Sequence, residues 1–368
     1  MNKVKAFLQR KGVVFSGRRY GIDALGAMAQ GLFCTLLVGT ILDTIGTQLG
    51  IGFLTRTIVT IGSGEGAVGY TIGGVASAMV GPGMAVAIGY ALGAPMMVLF
   101  SMIPVGFATN QMAGAGGALA VYVVAVVACE CAKLVSKETK IDILLTPVVT
   151  ILCGVGVAWV VAKPIGTAVS ALGQAVMWAT EQQPFVMGIV VSVLIGMALT
   201  LPISSAAICA ALSLRGLAGG AAVAGCCAQM IGFAVISFRE NRWGGLVAQG
   251  LGTSMLQMGN IVRNPRVWIA PTLASAVTGP VATCVFGLEM NGAAVSAGMG
   301  TCGLVGQIGV YTGWVADVSS GAKAAITAMD WIGLGMVCFV LPALLSWLFV
   351  LPLRRRGWVA LGDLNLNL

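Results

Sequence analysis

Histidine is absent from all 368 residues, and charged side chains make up only 9% of them, with 12 Asp and Glu in total. Each shortage closes off a class of function. Without histidine there is no Ser-His-Asp or Cys-His nucleophile, and no Cys/His zinc set can be completed. A soluble domain carries roughly a quarter charged residues, so a water-facing surface cannot be built from this chain. The phosphate-cradling G-x-x-x-x-G-K-[ST] run is missing. The ten cysteines form no C-x-x-C. Cys129 and Cys131 are spaced C-x-C, and Cys226 and Cys227 are adjacent. Most of the others, including Cys34, Cys153, Cys209, Cys284 and Cys338, sit in apolar runs and read as small packing residues. No catalytic residue, bound metal or cofactor is expected. The basic start, MNKVKAFLQRKGVVFSGRRYG, lacks the long apolar core of a cleavable leader.

What the chain does have is apolar bulk. It is 58% hydrophobic, with 53 glycines and 12 prolines, and its mean hydropathy is +0.97. No G-X-Y period is present, which excludes collagen. The composition is that of a polytopic membrane protein. Its glycine favours close helix packing and broken segments. The net charge of +8 gathers at segment ends, where anionic lipid and the positive-inside rule account for it, so nucleic-acid binding is not expected.

Apolar segments run near 24–42, 45–62, 67–82, 84–108, 113–134, 142–162, 184–202, 217–236, 244–258, 267–288, 292–315 and 327–352. Those at 45–62, 244–258 and 292–315 are short or glycine-broken and read as re-entrant or unwound pieces. About eight to ten crossings remain at roughly 20 residues each. Lys3, Lys5, Arg10, Lys11, Arg18 and Arg19 lead in, and Arg354, Arg355 and Arg356 close the last run. Both termini are therefore expected in the cytoplasm, with the Lys133–Lys140 loop, and the number of spans is even. Residues 1–21 read as a basic amphipathic lead-in, 22–165 as an N-terminal membrane block, 166–353 as a C-terminal block and 354–368 as a cytoplasmic tail. Gln174, Glu181 and Gln182 interrupt an apolar helical pattern that suits the interface. The acidic residues beside apolar runs, including Glu65, Glu130 and Glu240, fall at segment ends and are expected to be wet. Glu289 suits a cavity or a loop equally. Trp243, Trp268 and Trp314 read as interfacial tryptophans, although an aromatic ring could also stack on a sugar.

Uncharged polar residues cluster in three places. LTLPISSAAI holds Ser204 and Ser205 beyond Pro202, as a kink or as part of a site. GTSMLQMGNIVRNP holds Thr253, Ser254, Gln257, Asn260 and Asn264. NGAAVSAGMGTCGLVGQIG holds Asn291, Ser296, Thr301 and Gln307 among glycines that suit an unwound hairpin tip. Hydroxyls and amides can hold a hydroxyl-rich solute without carrying charge into lipid, so these eleven residues are the candidate lining.

The run FRENRWGGLVAQGLGTSMLQMGNIVRNPRVWIAPTLASAVTGPVATCVF, followed by NGAAVSAGMGTCGLVGQIG, resembles the enzyme IIC membrane component of the bacterial phosphotransferase system, nearest its PfoR-like branch. KIDILLTPVVTILCGVGVAWVVAKPIG resembles the fifth-helix region of the same superfamily. The resemblance implies an all-α polytopic homodimer in the bacterial inner membrane, with about ten crossings and two re-entrant hairpins. It also implies elevator-type transport of a small polar solute, a sugar or sugar derivative, with separate IIA and IIB proteins as partners. On that reading 252–264 contributes to the first hairpin, 291–307 to the second, and the helix near 142–162 to the dimer contact. Sugar-phosphorylating members are similar to one another in a hairpin glutamate within N-E-P or T-E-P. Counting back from Asn264-Pro265 places that position near Thr253. Those members also use a histidine that this chain lacks, and no IIA or IIB domain is fused. A solute-sensing membrane regulator without transport is the alternative.

Overall fold

The computed structural model describes residues 3–62, 67–180 and 182–366. Glu65 and Glu181, singled out above, lie outside them. The chain divides into two compact units, Met1–Ala168 and Val169–Leu368. Six helices are long and apolar enough to cross a membrane, or seven if one bent pair is a single span. The chain is thus an all-α, multi-pass membrane protein, apart from a two-stranded antiparallel ribbon, β1 (Val59–Ile61) with β2 (Val68–Tyr70).

In the first unit, α1 (Lys3–Arg10) precedes α2 (Arg19–Thr47), which carries wide i→i+5 turns at Arg19–Ala24 and Phe33–Leu37. The expected piece at 45–62 is no span: it comprises the end of α2, a single turn at Gly52–Thr55, and β1. Next come α3 (Ile72–Ala78) and α4 (Val80–Ala91), bent by 52°. The chain reverses between α5 (Met96–Ala113) and α6 (Gly117–Val135), which pack on each other and bring Val105 and Ala128 together against Gly154. Gly114 at φ 54 makes that reversal, a conformation that favours glycine. The long helix α7 (Asp142–Thr180) follows, with Pro147 and Pro164 inside it.

Glu130 is not at a wet segment end as expected. It is 9% exposed and pairs with Arg19 at 3.1 Å and Lys133 at 3.5 Å. Lys133 Nζ also donates to the carbonyls of Gly12 at 2.7 Å and Leu92 at 2.9 Å. A buried carboxylate persists only when paired, and here its cation Arg19 comes from a distant part of the chain. Outside the spans, Lys11 and Arg10 both meet Glu138. The hydrogen bond from Lys11 comes first in holding the Glu138 carboxyl below its ordinary range.

The second unit is built around α10 (Gly216–Ile236), buried nearly all round. α8 (Pro184–Thr200) and α13 (Pro265–Val285) pack on α10 and on each other. Both begin on proline, which fits a first helical position. A Cβ at Gly225 would overlap the carbonyl of Ser192, so only glycine allows α8 this close. Between these helices lie α9 (Ser205–Ala211), α11 (Phe238–Val247) and α12 (Met258–Arg263). After α13 come α14 (Ala294–Ala297), α15 (Val305–Ser319) and α16 (Ala328–Arg355), the last opened by a Thr327–Asp330 capping box.

Candidate functional site: two broken hairpins on one buried helix

The stretch from 252 to 266 stops being helical twice, and both breaks follow from residue type. Thr253 is extended (φ −158, ψ 142), and its hydroxyl accepts from Met255 N at 3.2 Å. Asn264 is extended (φ −140, ψ 91), and its side chain accepts from Arg266 N at 3.3 Å ahead of Pro265. Threonine and asparagine at caps, with proline next, start new helical turns.

The amides of this first hairpin face the C-terminal tail. Gln257 Nε2 donates to Gln249 Oε1 at 2.8 Å and to the Leu364 carbonyl at 3.0 Å. Asn260 Nδ2 donates to Gln257 Oε1 at 2.7 Å and to the Asn365 carbonyl at 2.9 Å. Asn264 Nδ2 donates to the Trp358 carbonyl and to Asp363 Oδ2, both at 2.9 Å. Asn241 grips the same strap from the other side, donating to Leu364 O at 2.8 Å and accepting from Leu366 N at 2.7 Å. Leu364 is fully buried in an apolar cluster with Phe233, Ile261 and Val359. The segment expected to be a cytoplasmic tail is therefore a folded strap across this hairpin, at least over Gly357–Leu366.

Ser254 turns the other way and shares a 2.8 Å hydrogen bond with Thr200 on α8. Thr200 in turn donates to Gln229 Oε1 at 3.3 Å. Gln229, fully buried on α10, also accepts from Trp268 Nε1 at 2.8 Å and donates to Thr272 and Ser275 at 3.3 and 3.4 Å. Trp268, itself half-buried, joins this buried hub through its indole N–H. Trp314 is buried, at 3% exposure, edge-on to Trp331. Of the three tryptophans, only Trp243 is widely exposed, at 71%.

The second cluster forms a second broken hairpin on the same helix. Gly216 and Met290 exchange backbone hydrogen bonds at 3.1 and 3.0 Å, and Gly216 N also donates to Asn291 Oδ1 at 3.0 Å. Asn291 Nδ2 donates to Asp317 at 2.8 Å and to the exposed Glu289 at 3.1 Å. Ser204 caps α9, and Ser205 Oγ donates to Gly298 O at 2.7 Å. The tip then reaches α10: a Cβ on Gly300 would fall 2.7 Å from that of Cys226. Thr301 Oγ1 donates to Met230 Sδ at 3.5 Å, and Gln307 Nε2 to Cys227 Sγ at 3.2 Å. Ser296 is buried against Gly309. Gln307 Oε1 is buried and has no hydrogen-bond partner among the described residues.

The two hairpins meet where Ala248–Gly252 packs on Cys302–Leu304. Thr301 and Gln307 therefore meet Cys227–Met230 of α10, Ser254 reaches Gln229 there through Thr200, and Ser205 and Ser296 hold the second hairpin at Gly298 and Gly309, whereas Gln257, Asn260 and Asn264 gather around the tail. Sequence reasoning missed Gln229, Gln249 and Asn241. A lone glutamine inside GLAGGAAVAGCCAQMIGFAVI was a usable signal for the first, since an amide at membrane depth needs partners.

The sequence profile of the family described as "Phosphotransferase system, EIIC" matches residues 22–366. No curated protein and no solved structure gives a significant match.

Proposed function

The chain belongs to the phosphotransferase system EIIC family, and from that premise we propose that it carries a small, hydroxyl-rich solute, a sugar or sugar derivative, across a bacterial plasma membrane. The observation that carries this reading is Gln307 Oε1, a buried acceptor with no donor among the described residues. Leaving such a group unsatisfied costs about 1–3 kcal/mol, and a sugar hydroxyl supplies the missing donor. Ser296, Thr301 and Ser205 stand on the same hairpin or against it and supply further neutral groups. Thr253 takes the place of a hairpin carboxylate, so the solute is bound without a charged partner, and any phosphorylation would come from separate IIA and IIB proteins.

The proposed transport body is the unit Val169–Leu368, which holds both hairpins and moves elevator-fashion. The proposed dimer contact is α7, whose Leu144, Val148, Leu152 and Trp159 form an exposed apolar stripe at helical spacing. Counting α2, the bent α3–α4 pair, α5, α6, α7, α10, α13 and α16 as crossings gives eight, an even number that puts both basic ends in the cytoplasm; α8 and α15 are left out, since α10 and α16 end side by side at the Arg354–Ile236 hydrogen bond and α15 runs only from Cys227 back to the start of α10.

The test is uptake into proteoliposomes across a sugar panel, with and without a phosphorylated IIB protein, for the native chain and Gln307→Leu. The native chain is expected to accumulate one sugar class, and the variant to bind it at least tenfold more weakly with its melting temperature retained. Unchanged uptake by Gln307→Leu would remove this residue from the site. Solute binding without uptake in either chain would favour the membrane-regulator reading.

A further inference from the structure

Away from the two hairpin tips, α10, α11 and α16 enclose a groove of ≈ 320 Å³. Its walls are almost wholly apolar, with Ile236, Leu246, Val350 and Leu351 among them, and Trp243 and Trp347 stand in the lining. Both tryptophans are open to the surroundings, at 71% and 51% exposure. Arg239 and Arg354 complete the lining. We propose that this groove is a binding site for one anionic phospholipid, with an acyl chain against the apolar wall and the headgroup phosphate at the two guanidinium groups.

The charge balance favours an anion. Glu240 is the one carboxylate on α11, and it pairs with Arg354 at 3.2 Å, while the same guanidinium donates to the Ile236 carbonyl at 2.8 Å. Arg354 Nε is buried and has no hydrogen-bond partner among the described residues. Arg239 is exposed and makes no ion pair among the described residues. Arg242, Arg355 and Arg356, also exposed, lie on the same two segments. Two arginines of the lining thus meet one glutamate. A soluble anion would leave the tryptophans and the aliphatic wall unused, and a zwitterionic lipid would leave the arginines uncompensated. An amphiphile with a negative head uses both. Each Lys or Arg near an anionic membrane surface contributes about 1 kcal/mol, or roughly fivefold in affinity.

The experiment places the full chain in vesicles of phosphatidylglycerol and phosphatidylcholine, with bromine on the acyl chains of one lipid at a time, and reads quenching of tryptophan fluorescence. Brominated phosphatidylglycerol is expected to quench more than brominated phosphatidylcholine at equal content. Trp243→Phe with Trp347→Phe should remove the excess. Arg239→Gln, an exposed change that leaves the Arg354–Glu240 pair intact, should weaken the phosphatidylglycerol preference about fivefold. Equal quenching by the two lipids, or an unaltered preference in Arg239→Gln, would overturn the proposal. So would loss of the preference on adding inorganic phosphate alone, since the groove would then read a free anion.

Discussion

Replacing Gln257 by leucine tests what the first hairpin's amides are for. The side chain is fully buried and makes three hydrogen bonds. Two of its partners keep another contact: Leu364 O still accepts from Asn241, and Asn260 still donates to Asn365 O. Gln249 Oε1 has no other donor among the described residues, so it is stranded at a cost of about 1–3 kcal/mol, with about 1 kcal/mol more for the weakened strap. The expected loss is therefore roughly 2–4 kcal/mol. For a unit of this size each kcal/mol moves the melting temperature by about 2–4 °C, which gives a drop of roughly 4–16 °C. The strap should loosen as well, so a thiol placed by Asn365→Cys should react faster in the Gln257→Leu background. The assay is thermal melting in lipid nanodiscs with and without the sugar panel, together with the labelling rate. An unchanged melting temperature and labelling rate, with the ligand-induced shift abolished, would refute the strap reasoning and make Gln257 a solute ligand.

Two other outcomes follow from the first unit. If α7 is the dimer contact, Leu152→Cys should cross-link two copies on mild oxidation in nanodiscs, and Tyr90→Cys, also exposed but on α4, should not; a monomer by native mass spectrometry would exclude the contact. Because Lys11 and Arg10 hold the carboxyl of Glu138 below its ordinary value, the folded form binds this proton less readily than the unfolded chain. The attachment of α1 is then complete above the usual carboxylate range of about 4 and is lost as pH falls through the lowered value. A spin label at Phe7 should become mobile on acidification below about pH 4, and earlier at high salt because the pair is exposed; mobility independent of pH would exclude the tether.

The long spans were legible because burial in lipid needs an unbroken apolar run. The expected 217–236, 184–202 and 267–288 fall close to Gly216–Ile236, Pro184–Thr200 and Pro265–Val285. The region from 67 to 108 was less so, since its bend and its turn at 92–95 occur inside continuous apolar sequence and are marked only by glycine and proline. The polar clusters were visible, but not which way each side chain points. Gln257, Asn260 and Asn264 each bond to one backbone carbonyl of the tail, and a carbonyl leaves no trace in residue identity. Glu130 looked wet because the closer of its two cations, Arg19, is far away in sequence; a pattern read locally cannot see that pairing.

The strap also fixes an order of assembly. Its hydrogen bonds join residues 94 to 125 positions apart, with α13, α15 and α16 lying between them. Contacts of such separation form late, after the entropy of closing the intervening loop has been met. When the first hairpin emerges during synthesis, the carbonyls that its amides require are not yet present, and lipid offers no substitute. The hairpin must therefore wait at the watery interface, or in the shelter of an insertase, and settle to its final depth only after α16 has crossed.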